Sequence, residues 1–154
     1  MKAKKLKAFT LAEMIVVLIV ASIVIAMGFS VLNMVRKQVV TIQKNYQKKQ
    51  QVLLLESLLH RDFNSNTAFY NIKNDELLLK NTRDSITYTF YENYIIRNQD
   101  TFQIEVQNKE LYLDGIQVKD KVIDALEINL SENYGSKQLF VQQSKDASYY
   151  MNND

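Results

Sequence analysis

The apolar positions along this chain change their rhythm twice. From Met14 to Val35 apolar residues dominate and no residue is charged. Such a run is long enough for the ~20 residues that carry a helix across a bilayer core. After Arg36 the apolar residues thin out to Val39, Ile42, Tyr46, Val52, Leu55, Leu58, Leu59 and Phe63. Most of those gaps are three or four residues, the spacing of one helical face. Gln38, Gln43, Lys44, Gln47, Lys48 and Gln51 fill the other face. The pattern therefore predicts one helix from Phe9 to Phe63, about 80 Å long at the helical rise of about 1.5 Å per residue. Gly28 and Ser30 are the positions expected to soften it.

Past residue 67 the period drops from about 3.6 to 2. Leu77 and Leu79 alternate, and so do Ile86, Tyr88 and Phe90. "SITYTFYENYIIRN" reads as a hairpin closed by a Glu92-Asn93 turn. Phe102, Ile104 and Val106 alternate with Gln103, Glu105 and Gln107, which predicts another strand. Leu111 and Leu113 lead into Asp114-Gly115, a turn signal. Leu126, Ile128 and Leu130 alternate, and "KQLFVQQ" closes the set. Six to eight short antiparallel strands are expected. The fold class is α+β, with one sheet face covering the amphipathic half of the helix. The expected organisation is a leader at 1–8, a transmembrane helix at 9–35, its amphipathic continuation at 36–66 and a β domain at 67–154.

Composition narrows the chemistry. The chain has 154 residues, a net charge of +2, no cysteine, no proline and one histidine. Thiolate zinc sites, disulfide frameworks and thiol nucleophiles are excluded. A single histidine, His60, rules out a two-histidine metal site. The lysines beyond residue 35 are scattered among acids, so nucleic acid is not an expected partner. His60-Arg61-Asp62 has the order of a kinase catalytic loop, but Thr67 stands where that motif needs asparagine. These residues are instead expected to end the helix in a polar Asn-Ser-Asn loop. The aspartates and glutamates show no calcium-loop spacing. The abundant tyrosines, Tyr149-Tyr150 among them, fit ordinary strand composition better than a binding surface. No cofactor is expected, and the chain is not expected to be an enzyme.

The start of the apolar run is unusual. Lys2, Lys4, Lys5 and Lys7 precede it, and cytoplasmic lysines orient a span with its N-terminus inside. Glu13 stands at its head. A carboxylate at the edge of the hydrocarbon costs ~1–3 kcal/mol and is by default functional. A cleaved secretory signal ending near Ala26 would lack a clean small-x-small site. A plain signal anchor would leave Glu13 without a purpose.

"KAFTLAEMIVVLIV" resembles the leader and first helix of type IV pilin and type II secretion pseudopilin precursors. In that family the basic leader is cut off before a phenylalanine, and the mature chain begins Phe-Thr-Leu-x-Glu. The resemblance implies cleavage between Ala8 and Phe9 by a prepilin peptidase, N-methylation of Phe9 by the same enzyme, and a role in assembly for Glu13. Ala8 departs from the usual glycine, and alanine is the next smallest side chain. Glu13 would neutralise the N-terminal amine of a neighbouring subunit in the filament. A buried pair across subunits also fixes their register.

The hairpin "ITYTFYENYIIRN" resembles the tyrosine hairpin and apolar-x-Arg strand of the J-type minor pseudopilins. "KVIDALEINLSEN" looks like a later strand of that group, and Ser30 replaces a proline common in major pilins. A non-catalytic minor subunit is implied, acting at the tip or initiation complex of a secretion pseudopilus. A DNA-uptake or adhesion pilus, or a single-pass anchored binding module without a filament, are the alternatives. The implied partners are the prepilin peptidase, other minor and major pseudopilins, the inner-membrane assembly platform and membrane lipid. The implied location is the bacterial inner membrane, with the N-terminus cytoplasmic and the β domain extracytoplasmic.

Overall fold

A computed structural model describes residues Phe9 to Gln143. The leader, with Ala8 and its lysines, and the Tyr149-Tyr150 pair lie outside the described residues. The chain forms two compact units, one ending at Lys44 and one beginning at Asn45. Helix α1 (Leu11–Ser65) supplies the whole described secondary structure of the first unit. It runs without a break through Gly28 and Ser30, so neither interrupts the backbone ladder. Every residue of the run from Met14 to Val35 is exposed, and α1 is long and apolar enough to cross a membrane. Within this run the Ser22 Oγ donates to the Leu18 carbonyl at 2.7 Å. Such bonding back to the preceding turn is what a hydroxyl needs where water is absent.

In the second unit the end of α1 packs on antiparallel β-structure, which gives an α+β fold. The strands are β1 (Thr67–Asn71), β2 (Glu76–Lys80), β3 (Ser85–Phe90), β4 (Ile95–Arg97) and β5 (Asp100–Phe102). They continue as β6 (Val106–Leu113), β7 (Ile116–Val118), β8 (Lys121–Ile123), β9 (Ala125–Leu130) and β10 (Gln138–Gln142). One sheet has the order β5-β4-β3-β2-β1-β8, the other β10-β9-β6-β7. All pairings are antiparallel.

The hairpin β3–β4 forms as the sequence predicts, with Tyr88 opposite Arg97. The Asp114-Gly115 turn also forms, both residues adopting positive φ (51° and 77°). That is the conformation a two-residue hairpin turn requires. Ten strands are described, more than the six to eight expected. The additional ones are short (β7 and β8) or carry weak alternation (β1, where the buried pair is Ala68 and Tyr70).

The strand expected over 102–107 is not continuous. Phe102 and Ile104 are both buried, yet the ladder breaks between β5 and β6. The Ile104 N–H turns back to the Phe102 carbonyl (3.0 Å), and the Val106 N–H bonds the Glu92 carbonyl (3.2 Å). Alternating burial survives here because the segment crosses from one sheet to the other over a shared core.

The apolar stripe of α1 is covered only in part. Val52, Leu55, Leu59 and Phe63 are buried against Leu77, Leu79, Ile95, Leu126 and Ile128. Val39, Ile42 and Tyr46 are exposed, Ile42 at 66%. Helical spacing places side chains on one face and cannot say how far a partner extends along it. The Asn-Ser-Asn loop is likewise corrected. Asn64 and Ser65 complete the helix, and Asn66 alone makes the bend, its Nδ2 donating to the Asp62 carbonyl at 2.7 Å. That bond satisfies a carbonyl the helix end would otherwise leave open.

Candidate functional site at the helix start and the buried Asp62 network

The chain enters α1 at Thr10. Its backbone N–H donates to Glu13 Oε2 at 2.9 Å, and its hydroxyl donates to the same oxygen at 3.0 Å. The Glu13 N–H donates in return to the Thr10 Oγ1 at 3.3 Å. This is a capping box: the first helical N–H groups have no partner within the helix, and the two side chains supply them. The carboxylate also sits at the positive end of the helix dipole. Glu13 thus finds hydrogen-bond donors within its own turn, but these are neutral and leave its charge to be paired. The T-x-x-E spacing was present in the sequence and carries that signal. Phe9, beside Thr10, is 77% exposed. The Glu13 carboxylate is therefore held against Thr10, the residue that follows Phe9.

The second constellation was not anticipated. Asp62 lies among Leu59 and Phe63 on the buried face, with its side chain 2% exposed. Its Oδ2 accepts from the Tyr88 hydroxyl at 2.7 Å and from Arg97 Nε at 2.8 Å. Arg97 Nε also reaches the Tyr88 oxygen at 3.1 Å. Asp62 Oδ1 accepts from Arg61 Nε at 3.0 Å, from a side chain that is largely in solvent. Cross-strand pairing puts Tyr88 and Arg97 side by side, and the last turn of α1 brings Asp62 to both.

Burial alone would raise the Asp62 pKa. The hydrogen bonds from Arg97, Tyr88 and Arg61 outweigh it and hold the carboxyl below its usual range. Burial, and then the bond to Asp62, push the Tyr88 phenol far above its ordinary value. The phenol therefore stays protonated and serves as a donor. The network joins helix to hairpin and contains no nucleophile paired with a base. The sequence hint was one acid at a core-spaced helix position and one arginine ending an apolar strand.

His60 is exposed and takes no part. Among the described residues no group of three or more His, Cys, Asp or Glu side chains is arranged to hold a metal ion.

Residues 4–29 match the family model of the prokaryotic N-terminal methylation motif. No curated protein and no solved structure matches the chain. The motif implies processing by a prepilin peptidase and pilin assembly, and with the apolar helix it fits a membrane-anchored single-pass protein. It suggests a structural, non-catalytic role. The chain carries a prepilin-type N-terminal methylation motif at the head of a long helix, and this supports a type IV pilin-like protein.

Proposed function

We propose that this protein is a minor pseudopilin, a non-catalytic subunit at the tip or initiation complex of a type II secretion pseudopilus or a related filament. The observation that carries the reading is the methylation motif over residues 4–29, placed at the start of a helix that ends on a β domain. The precursor is inserted in the inner membrane with its lysine-rich leader in the cytoplasm. The peptidase cuts between Ala8 and Phe9 and methylates the new Phe9 amine. Residues 9–35 anchor the subunit and later pack in the filament core. Residues 36–66 continue the helix toward the β domain at 67–154, outside the cytoplasm. The partners are the other minor and major pseudopilins, the assembly platform and lipid.

Glu13 acts in assembly. Its bonds to Thr10 keep the carboxylate close to the helix start, where the Phe9 amine of an adjacent subunit can reach it. Leaving lipid for a filament core with one unpaired charge is expensive, and pairing the two charges lowers that penalty. Glu13→Ala is expected to leave membrane insertion intact and to remove assembly.

The test is the intact mass and N-terminal sequence of the membrane-purified chain, with and without a co-expressed prepilin peptidase. A chain beginning at N-methylated Phe9 supports the reading. A chain that keeps residues 1–8 beside an active peptidase refutes it. Normal incorporation of Glu13→Ala into filaments would refute the role of the carboxylate.

A further inference from the structure

The second unit carries an apolar groove of about 350 Å³ between α1 and the loop that leads into β10. Val52, Leu53 and the Tyr134 ring line it, and Leu53 is 44% exposed. Lys48, Lys49 and Lys137 stand around it. Lys48 lies over the Tyr134 ring at 5.1 Å and touches the Asn133 carbonyl at 3.5 Å, with the Glu105 carboxylate acting on it from further away. Lys137 is bound to Glu56. Lys49 has no ion pair among the described residues. Between Glu13 and Glu56 the helix sequence contains no carboxylate, so the helix itself contributes only cations, Lys48 and Lys49, to this part of the rim.

The outward face of the β10-β9-β6 sheet has the opposite character. Phe140 is directly opposite Glu127, and Glu127 is directly opposite Glu110. The Phe140 side chain is 48% exposed. Like charges placed opposite each other across strands are unfavourable. Here they are held by neutral donors: Asn129 Nδ2 to Glu127 (3.0 Å), Asn108 Nδ2 (3.3 Å) and the Tyr112 hydroxyl (2.7 Å) to Glu110. No lysine or arginine shares the outward positions of these three strands. Neither glutamate has an ion pair among the described residues.

We infer that the groove docks the Phe140–Glu127–Glu110 row of a second copy of this chain. The phenyl ring fills the apolar floor, and the two carboxylates meet the Lys48 and Lys49 ammonium groups. The contact relieves the Glu110–Glu127 repulsion and covers Leu53 and Phe140 together. The two surfaces are different parts of the molecule, so the contact is head-to-tail and extends to a third copy. One ring and two ion pairs bury far less than the roughly 1,200 Å² of a stable soluble complex. The contact therefore forms where membrane or filament already holds the chains side by side. The inference rests on the filament reading: it needs neighbouring copies of this chain, which a related filament built from repeated copies supplies and a single-copy place at the tip does not.

The chain has no cysteine, so introduced thiols report the contact cleanly. Asn45→Cys at the groove and Gln138→Cys on the acidic face are placed in one full-length chain and treated with a short bis-maleimide in membranes containing the peptidase. The expected result is a ladder of dimers and higher species, with each single-cysteine chain remaining monomeric. Glu110→Lys with Glu127→Lys lowers the ladder about tenfold, the equivalent of ~1.4 kcal/mol, and so does Phe140→Ala. Adding Lys48→Glu and Lys49→Glu to the double lysine variant restores it.

The absence of the ladder in chains with methylated Phe9 that sediment with filaments overturns the docking and leaves the filament reading intact. Cross-links between identical cysteines, or to a different subunit only, overturn it as well. A ladder in membranes that contain an active peptidase but in which the chain keeps residues 1–8 upholds the docking and sinks the filament reading.

Discussion

Asp62→Ala is the perturbation that tests the buried network of the second unit most directly. The substitution removes a carboxylate that accepts from Tyr88, Arg97 and Arg61 within 3.0 Å. Tyr88 keeps a polar neighbour, because Arg97 Nε lies 3.1 Å from its oxygen. Arg97 fares worse. Its side chain is only 13% exposed, and its remaining acid, Asp100, is 3.9 Å away with a side chain 71% exposed. An exposed pair of that kind is worth ~0–1 kcal/mol. Breaking a buried pair by deleting one partner costs ~3–5 kcal/mol, because the other charge stays buried. Arg97 retains some access to water, so the lower end applies, about 3 kcal/mol.

Against the ~5–15 kcal/mol that holds a domain folded, this is a large fraction. The assay is urea unfolding of the full chain in detergent, followed by tyrosine fluorescence. The chain has no tryptophan, and its nine tyrosines all lie beyond Lys44, so the signal reports the second unit alone. Arg61→Ala is the control, expected within ~0.5 kcal/mol, because that side chain is 62% exposed. Asp62→Ala with Arg97→Ala should be less damaging than the sum of the two single changes, since no lone charge remains. A loss below about 1 kcal/mol for Asp62→Ala, or strict additivity in the double variant, would show that the network is not the clamp described.

Acid should weaken the same unit. The Asp62 pKa is depressed in the fold, so its contribution is complete above the unfolded carboxylate value of about 3.9 and disappears as pH falls through the lower folded value. The urea midpoint should show this fall below about pH 4, and Asp62→Ala should lack this part of it. Phe63→Ala, at a fully buried position, should lose ~3–5 kcal/mol in the same assay. Ile42→Ala, on the exposed part of the stripe, should shift it by no more than ~0.5 kcal/mol. Gly115→Ala meets no neighbouring atom within 4 Å, but its φ of +77° should cost about 1–2 kcal/mol in the midpoint of the same curve.

Local pattern determined much of this protein. An uncharged run after a lysine-rich start defines the apolar helix, and T-x-x-E defines how that helix begins. The period-2 alternation of Ile86, Tyr88 and Phe90, and the Asp114-Gly115 turn, define hairpins that form as read. Each of these signals acts over a few residues, where backbone sterics and side-chain periodicity suffice.

The tertiary structure decided what depends on residues far apart in sequence. The stripe from Val39 to Phe63 keeps helical spacing on both sides of the six-residue gap between Tyr46 and Val52, yet only its part from Val52 onward finds a cover. Phe102 and Ile104 keep their alternating burial, while the chain leaves one sheet for the other between them and β6. Asp62 looked like the polar end of a helix. It becomes a buried clamp because Tyr88 and Arg97, 26 and 35 residues later, are aligned by strand pairing and pressed against the same helical turn. No local rule can place those three groups together. Only the shared core does, since an unpaired charge at that depth would be too costly to keep.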